Sequence, residues 1–302
     1  MIRTLRIQLT DICNFSCVYC CHEGTMNEYS ILKNRNLISF IRACHDVLGI
    51  CRVKFTGGEP LEYDEDICDI IKKVDRPNID YSIVTNGTNA EVLKKLVEEF
   101  PNLETTISLP IPLNEMYLPI FHNITGSLNF KYDFKKIKNV IDYMMLNGKS
   151  IKINYVLCNG MNTKSKYIKE IIDFAKQNPT VKLRFLETAV NNTNNRNGCM
   201  ERFVFRQNDF EKILIQIGYE KSVINKYNDI RSSCMYDIDG TTIKLIKFFC
   251  GINCTECPSD KSSLWLTSTG HLKICSYGDC HIKIENWQYS QIAKQLEKLI
   301  DM

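Results

Sequence analysis

The chain has 302 residues, 44% hydrophobic and 24% charged, which is enough apolar material for a large folded core and excludes a disordered protein. A net charge of +3 is too small to indicate nucleic-acid or membrane binding, and no run of about eighteen apolar residues predicts a membrane span. Because the first residues enter a strand pattern directly, we expect a cytoplasmic protein with no nucleic-acid and no membrane partner.

Strand-like segments alternate with helix-like ones through the first 190 residues. The predicted strands are 4–10, 51–56, 80–85, 103–109, 150–157 and 181–187. Amphipathic segments lie between the later strands, and the one over 134–148 ends at Asn147 and Gly148 as a helix C-cap does. Six successive β/α units predict an α/β fold, a parallel sheet covered by helices and curled into a full or a partial (β/α)6 barrel over residues 1–190. The polar stretch "NNTNNRNG" predicts a boundary, followed by a smaller α+β domain over 191–302.

Charged and amide side chains occupy alternating positions within the predicted strands. A parallel strand covered by helices has no solvent face, so one side meets the helices and the other meets the barrel lumen. Apolar residues such as Val53 and Ile151 take the helix side, which directs the polar set inward. Buried cations are costly unless they are paired or reach water at strand ends, so we expect an anionic ligand. The set is Arg6, Gln8, Arg52, Lys54, Lys152, Asn154 and Arg184.

Fifteen cysteines are the unusual feature of the composition, and their bunching near both ends favours metal or cluster binding over a disulfide framework. Cys13, Cys17 and Cys20 follow the first strand, where a β/α barrel places its active site. Three thiolates can hold three irons of a [4Fe-4S] cluster and leave the fourth open. A zinc site would want a fourth nearby ligand, which Cys21 does not easily supply because it adjoins Cys20. The scattered cysteines are predicted to be small buried residues: Cys44, Cys51, Cys68, Cys158, Cys199 and Cys234.

The segments "CNFSCVYC" and "FTGGEP" together resemble the CxxxCxxC signature and the glycine-rich motif of radical S-adenosylmethionine (SAM) enzymes. Gly57 and Gly58 would let the backbone approach the methionine part of bound SAM, and Glu59 lies near where its ammonium group would be. In order along the chain, "LRIQLTDICNFSCVYC", "FTGGEPL", "VTNG", "ISL", "IKINYVLCNGMN" and "LRFLE" are similar to the GTP 3′,8-cyclases, which build the pterin precursor of molybdenum cofactor. This resemblance covers most of the chain.

The resemblance implies the cofactors and the site residues. The cofactors would be SAM and two [4Fe-4S] clusters, with an electron donor of flavodoxin or ferredoxin type. Tyr19, Thr85 and Ser108 would contact SAM beside the glycine-rich motif. Five cations would surround the substrate or cofactor, and the strand pattern directs them inward independently: Arg6, Arg52, Lys54, Lys152 and Arg184.

A second group of cysteines lies near the C-terminus. Cys254 and Cys257 form a CxxC pair that is followed at a distance by Cys275, a spacing typical of cluster ligands. The segment "LTSTGHLKIC" resembles the one before the last ligand of the auxiliary [4Fe-4S] cluster in the GTP 3′,8-cyclases. Cys250 or Cys280 is a possible fourth ligand, which would close the cluster for electron relay or structural support.

The same region departs from the family pattern. Ser263 and Trp265 stand where the family carries two arginines that serve the substrate. The gap between Cys257 and Cys275 is longer than in the family, and the chain ends "QLEKLIDM", without the family's double-glycine tail. These departures concern the recognition of GTP.

The resemblance implies an enzyme that cleaves SAM to a 5′-deoxyadenosyl radical, which takes a hydrogen atom from an anionic, nucleotide-like substrate. The most specific expectation is GTP 3′,8-cyclase-like chemistry in molybdopterin precursor biosynthesis. One alternative is a radical SAM enzyme with a TWITCH- or SPASM-type auxiliary cluster that modifies another nucleotide, a natural-product intermediate or a peptide. The alternative from another class is a non-catalytic iron-sulfur or zinc protein such as a redox sensor.

Overall fold

The computed structural model describes residues 3–20, 32–127, 133–190, 200–219, 233–248, 263–275 and 281–300. Strands β1 to β11 of these ranges span Thr4–Gln8, Arg52–Thr56, Asp80–Thr85, Glu104–Ser108, Ile151–Leu157, Val181–Glu187, Ser233–Ile238, Thr241–Ile246, Ser263–Leu266, His271–Lys273 and His281–Lys283. Helices α1 to α8 span Asn34–Leu48, Asp64–Val74, Ala90–Glu99, Leu118–Thr125, Phe134–Leu146, Ser165–Gln177, Gln207–Gln216 and Tyr289–Ile300.

Strands β1 to β6 lie side by side in chain order, each parallel to the next. Helices lie between successive strands in the chain, as parallel pairing requires. This arrangement confirms the predicted α/β class and the six β/α units of a partial barrel. The observed strand ends fall within two residues of the predicted ones, and among the described strands β7 and β11 form the two edges of the sheet.

Strands from the C-terminal half extend both edges of this six-stranded core. At one edge β8 pairs in parallel with β6, and β7 follows antiparallel to β8. At the other edge β9 pairs in parallel with β1, followed by the antiparallel strands β10 and β11. The described part of segment 191–302 therefore continues the barrel sheet. Its predicted separation into a domain of its own stays a prediction.

The alternation of side chains along each strand decides what the helices cover. In β5, Ile151, Ile153 and Tyr155 are fully buried, whereas Lys152 and Asn154 between them are only partly buried. Successive side chains of a strand point to opposite faces, so the apolar set packs under the helices and the polar set faces inward. The fold thus separates an apolar layer from a polar lumen.

The helices end where the chain supplies suitable backbone conformations. Helix α5 ends with Asn147 at its C-cap, and Gly148 follows with a φ of +67°, which confirms the predicted cap.

The last helix packs against the first one: the Trp287 ring lies 6.0 Å from that of Phe40, and the Tyr289 hydroxyl donates to Asp46 at 2.9 Å. Within the described ranges, every helix is too short or too polar to cross a bilayer.

An aromatic cluster joins the barrel to the strands added at the β6 edge. The fully buried Phe185 ring lies 5.4 Å from the Tyr155 ring and 4.7 Å from the Phe210 ring. Phe210 in turn contacts Tyr236 of β7 at 5.7 Å. Removing the central ring would leave a cavity that rigid strands on both sides cannot fill.

Replacing Phe185 by alanine should therefore lower the free energy of unfolding by about 3–5 kcal/mol. The measurement is urea denaturation followed by circular dichroism. Leu146, which is 88% exposed at the end of α5, provides the matched control, and its replacement by alanine should change stability by less than about 0.5 kcal/mol. Equal losses in the two variants would contradict this account of the core.

Candidate functional site

The loop that follows β1 is held by close backbone contacts to the loop that follows β2. The Gly58 N–H donates to the Thr10 carbonyl oxygen at 2.7 Å, and the Glu59 N–H donates to the Ile12 carbonyl oxygen at 2.9 Å. A Cβ atom on Gly58 would lie 1.9 Å from the Ile12 oxygen, and one on Gly57 would lie 2.7 Å from the Thr10 oxygen. Both glycines are required by this approach of two loops. Their predicted approach to bound SAM stays a prediction.

The loop after β1 carries the three cysteines of the CxxxCxxC motif. Cys13, Cys17 and Cys20 line one cavity at the carboxyl ends of the parallel strands, as predicted for a β/α barrel. All three are free thiols; Cys13 is exposed and the other two are half-buried. The structure therefore brings the three predicted ligands together.

Two further elements position the cysteine loop. The N–H groups of Ser16 and Val18 donate, at 2.8 Å each, to the carbonyl oxygens of the last two residues of α4. The Asn14 amide donates to the Thr88 hydroxyl at 2.8 Å and accepts from the Asn86 amide at 2.8 Å. The motif spacing by itself predicts no role for Asn14 or Asn86. The available signal was the polar segment "TNG" at the end of β3.

The chemistry of the donor set fits a [4Fe-4S] cluster better than a single metal ion. Among the residues that the structure describes, no three His, Cys, Asp or Glu side chains converge as ligands of one ion. A four-iron cluster needs no such convergence, because each thiolate binds its own iron atom. Burial raises the pKa of Cys17 to about 12, against the opposing effect of a hydrogen bond with Tyr19, and a bound iron would favour the thiolate.

The residues predicted to bind SAM surround the same cavity, namely Tyr19, Gly57, Gly58, Glu59, Thr85 and Ser108. The buried Glu59 carboxylate accepts hydrogen bonds from the Thr85 hydroxyl at 2.6 Å, the Asn86 N–H at 2.8 Å and the Leu61 N–H at 3.1 Å. Burial raises the pKa of Glu59 to about 7 in spite of these donors. Glu59 thus joins the loops after β2 and β3, and its contact with an ammonium group stays a prediction.

Three of the predicted cations meet in the part of the cavity that lies along the strands. Arg6 of β1, Lys54 of β2 and Arg184 of β6 line it together with Asn154. The Nε atoms of both arginines and Oδ1 of Asn154 are buried and have no hydrogen-bond partner among the described residues. Burial, followed by repulsion from Arg6 and Arg184, lowers the pKa of Lys54 to about 7.

The other polar residues predicted in the lumen lie elsewhere. Arg52 is exposed at the start of β2, and Lys152 forms an ion pair with Glu104; neither lines the cavity. Gln8 is buried and its amide donates to Asp11 at 2.6 Å. Strand alternation alone did not separate these residues, because it gives the face of a side chain and not its depth or its partner.

The C-terminal cysteines are the predicted ligands of the auxiliary cluster. Cys275 is half-buried just after β10. Its predicted partners lie outside the described residues, namely Cys250, Cys254, Cys257 and Cys280. Cys21 and Cys199 also lie outside them. The auxiliary cluster and its ligands therefore stay predictions.

The scattered cysteines divide into two groups. Cys44, Cys158 and Cys234 are fully buried, as predicted. The prediction is wrong for Cys51 and Cys68, which are half-buried. Cys51 immediately precedes β2, and Cys68 lies on α2, where it packs at the margin of the apolar core with its thiol directed to Glu99.

The partial barrel and its cysteine loop define the class of protein. The model of the radical SAM superfamily matches residues 7–175, more than half of the chain. The chain belongs to the radical SAM superfamily and is an enzyme, which excludes the non-catalytic sensor. Membership implies a [4Fe-4S] cluster and SAM as cofactors, and the second cluster does not follow from it.

Curated relatives extend over most of the chain. A probable GTP 3',8-cyclase of Pyrococcus abyssi is 27% identical over 285 residues, which cover 91% of this chain and 84% of the relative. A GTP 3',8-cyclase of Clostridium acetobutylicum is 32% identical over 187 residues, 61% of this chain and 55% of the relative. The chain is similar to both.

Solved structures support the fold. SuiB of Streptococcus suis bound to S-adenosylmethionine matches with a TM-score of 0.65 at 15% identity, covering 98% of this chain and 68% of that one. The structure of anSMEcpe with bound AdoMet matches with a TM-score of 0.59 at 17% identity, covering 100% of this chain and 79% of that one. At these identities the likeness is one of fold.

Replacing Gly58 by alanine should prevent iron incorporation at the first cluster. The added Cβ would collide with the Ile12 backbone and displace the loop that carries the cysteines. Gly160 is the matched control: it has a φ of +73° but open space around its Cβ, so Gly160→Ala should cost about 1 kcal/mol of stability and keep the iron. Iron per chain after anaerobic reconstitution is the measurement, and a Gly58→Ala protein with full iron would refute the prediction.

Proposed function

We propose that this radical SAM enzyme acts on an anionic, nucleotide-like small molecule, by chemistry like that of the GTP 3',8-cyclases. The observation that carries the proposal is the surplus of positive charge in the cavity. Arg6, Lys54 and Arg184 line it, and within the described part of the chain none of them has a carboxylate within ion-pair distance. An anionic ligand would offset their burial.

The carboxylates that line the cavity do not neutralise these cations. Glu59 is held by three hydrogen bonds at the loops after β2 and β3. Glu187 pairs with Arg206 at 3.3 Å and accepts from the Gln207 N–H at 2.8 Å. The charge of Glu104 acts on Arg184 and Lys54, but Glu104 is already paired with Lys152. The positive surplus is therefore available to a ligand.

The chain's own residues account for cofactor binding in this proposal. Cys13, Cys17 and Cys20 would hold three irons of a [4Fe-4S] cluster. When bound, the cluster supplies one electron that cleaves SAM to methionine and a 5′-deoxyadenosyl radical, which takes a hydrogen atom from the substrate. Phe15, which lines the same cavity, packs edge-on against Phe121 at 5.5 Å and anchors the cysteine loop to α4. The protein thus positions the reactants and limits access of water.

Similarity to curated cyclases over most of both chains supports the nucleotide substrate. Ser263 and Trp265, in place of the two family arginines, make the recognition of GTP the part to be tested first. We also propose that a flavodoxin- or ferredoxin-type protein supplies the electron. An auxiliary [4Fe-4S] cluster at Cys254, Cys257 and Cys275 is part of the same proposal, with Cys250 or Cys280 as a fourth ligand.

The test is to incubate anaerobically reconstituted enzyme with SAM, dithionite and GTP. We expect 5′-deoxyadenosine and a cyclised product of GTP in equal amounts, measured by mass spectrometry. Arg184→Ala should lower product formation at least tenfold at limiting GTP, because a charge-assisted contact is lost. Lys182→Ala is the matched control: its side chain is exposed on the same strand, so GTP turnover should be unchanged.

Continued cleavage of SAM without a GTP product would reject the cyclase and retain the enzyme class. Substitution of other nucleoside triphosphates and of peptides for GTP would then identify the alternative substrate. No effect of Arg184→Ala on any anionic substrate would reject the role of the cation cluster.

Binding of GTP should weaken as the pH rises above about 7, because Lys54 loses its proton there. Lys54→Arg should bind GTP with a flatter pH dependence, since a guanidinium stays charged throughout this range. Equilibrium dialysis between about pH 6 and about pH 9 measures both, and comparing the two proteins cancels the titration of GTP itself. Parallel pH profiles would show that Lys54 does not contribute its charge to binding.

A further inference from the structure

Trp265 reaches the barrel from the C-terminal half of the chain. It lies on β9, which pairs in parallel with β1 at the edge of the barrel sheet. In that register Trp265 is directly beside Arg6, and neighbouring residues of paired strands point to the same face. The indole therefore stands on the inner face of the sheet, next to a cation of the cavity.

The two side chains are stacked. The Cζ atom of Arg6 lies 4.3 Å from the centre of the Trp265 ring. A guanidinium over an indole face is attracted by the ring quadrupole, and more strongly where water is excluded. The indole therefore supports the Arg6 guanidinium from the side of β9.

The Nε edge of the Arg6 guanidinium is the one that can bind an oxyanion. Among the described residues, the buried Arg6 Nε atom has no hydrogen-bond partner, and Arg6 lines the cavity. An Nε–H group and an adjacent Nη–H group together form the planar fork that binds two oxygens of a phosphate or carboxylate. A buried donor without a partner is costly, so this edge is incomplete without a ligand.

We propose that Trp265 is a positioning residue that holds the Arg6 guanidinium with its Nε edge toward an oxyanion of the substrate. The inference rests on the proposed function, because it takes the substrate to be anionic. The indole acts through Arg6: it restricts the rotation of the guanidinium before the ligand arrives, so less conformational entropy is lost on binding.

Arg184, at the opposite end of the six-stranded core, is held by a hydrogen bond and not by a ring. Its Nη2 atom donates to the Thr106 hydroxyl at 3.3 Å, while its Nε atom is buried without a partner among the described residues. Two arginines, each held by a neighbour and each offering an Nε edge in one cavity, match a ligand with more than one oxyanion group. This points to a phosphate chain rather than to a single carboxylate.

The test measures binding of GTP and of inorganic tripolyphosphate to the reconstituted enzyme by titration calorimetry. Trp265→Ala should weaken binding of tripolyphosphate about tenfold. Trp265→Phe should stay within about threefold of the parent enzyme, because a phenyl ring restores the stacking. Trp287→Phe is the matched control, since Trp287 packs against Phe40 on α1, and it should bind as the parent enzyme does.

A second readout is independent of the alanine variant. The chain has two tryptophans, so in Trp287→Phe the tryptophan fluorescence emission comes from Trp265 alone. Tripolyphosphate should change this emission with the same dissociation constant that calorimetry gives. A merely structural Trp265 would lower the melting temperature on substitution without any change of emission on titration.

The outcomes separate the two proposals. Binding of tripolyphosphate but not of GTP, with loss in Trp265→Ala, rejects GTP as the substrate and supports the role of Trp265. Binding of GTP that is equal in all variants, or an emission that does not respond to either anion, overturns the role of Trp265 and leaves the cyclase proposal intact. Failure of the parent enzyme to bind either anion overturns both.

Discussion

The structure depends on one close backbone contact, between the loops that follow β1 and β2. Gly57 and Gly58 bring the second loop so near to Thr10 and Ile12 that no side chain fits between them. Backbone hydrogen bonds then fix the loop that carries the three cysteines at the carboxyl ends of the strands. Thiols on a free loop would be distributed over many conformations, whereas these three already share one cavity.

The positive charge of the lumen is the second feature of the structure, and it lowers the stability of the folded protein. Arg6, Lys54 and Arg184 lie close enough for the two arginines to depress the pKa of Lys54. Such an arrangement costs free energy, because buried like charges repel and, among the described residues, the Nε atoms of Arg6 and Arg184 have no hydrogen-bond partner. Functional sites commonly carry this kind of local instability, and an anionic ligand would relieve it.

The C-terminal half contributes to the lumen through sheet pairing. Strands β8 and β9 lie far apart in the sheet, at opposite edges of the six-stranded core, and each continues the inner face of that core. Pairing of β9 with β1 places Trp265 beside Arg6, although 258 residues lie between them in the chain. A cation of the first strand is thus supported by an aromatic residue from the last third of the sequence.

Sequence alone determined the features that rest on local periodicity and on spacing. The six parallel strands, the cap of α5 at Asn147 and the grouping of Cys13, Cys17 and Cys20 follow from alternation, turn residues and motif spacing. Tertiary structure alone decided which inward cations meet the cavity, since Lys152 forms an ion pair with Glu104 on the neighbouring strand, while Lys54 forms none with the described carboxylates. The physical reason is that alternation fixes the face of a side chain, whereas its partner depends on strand register and on long-range pairing.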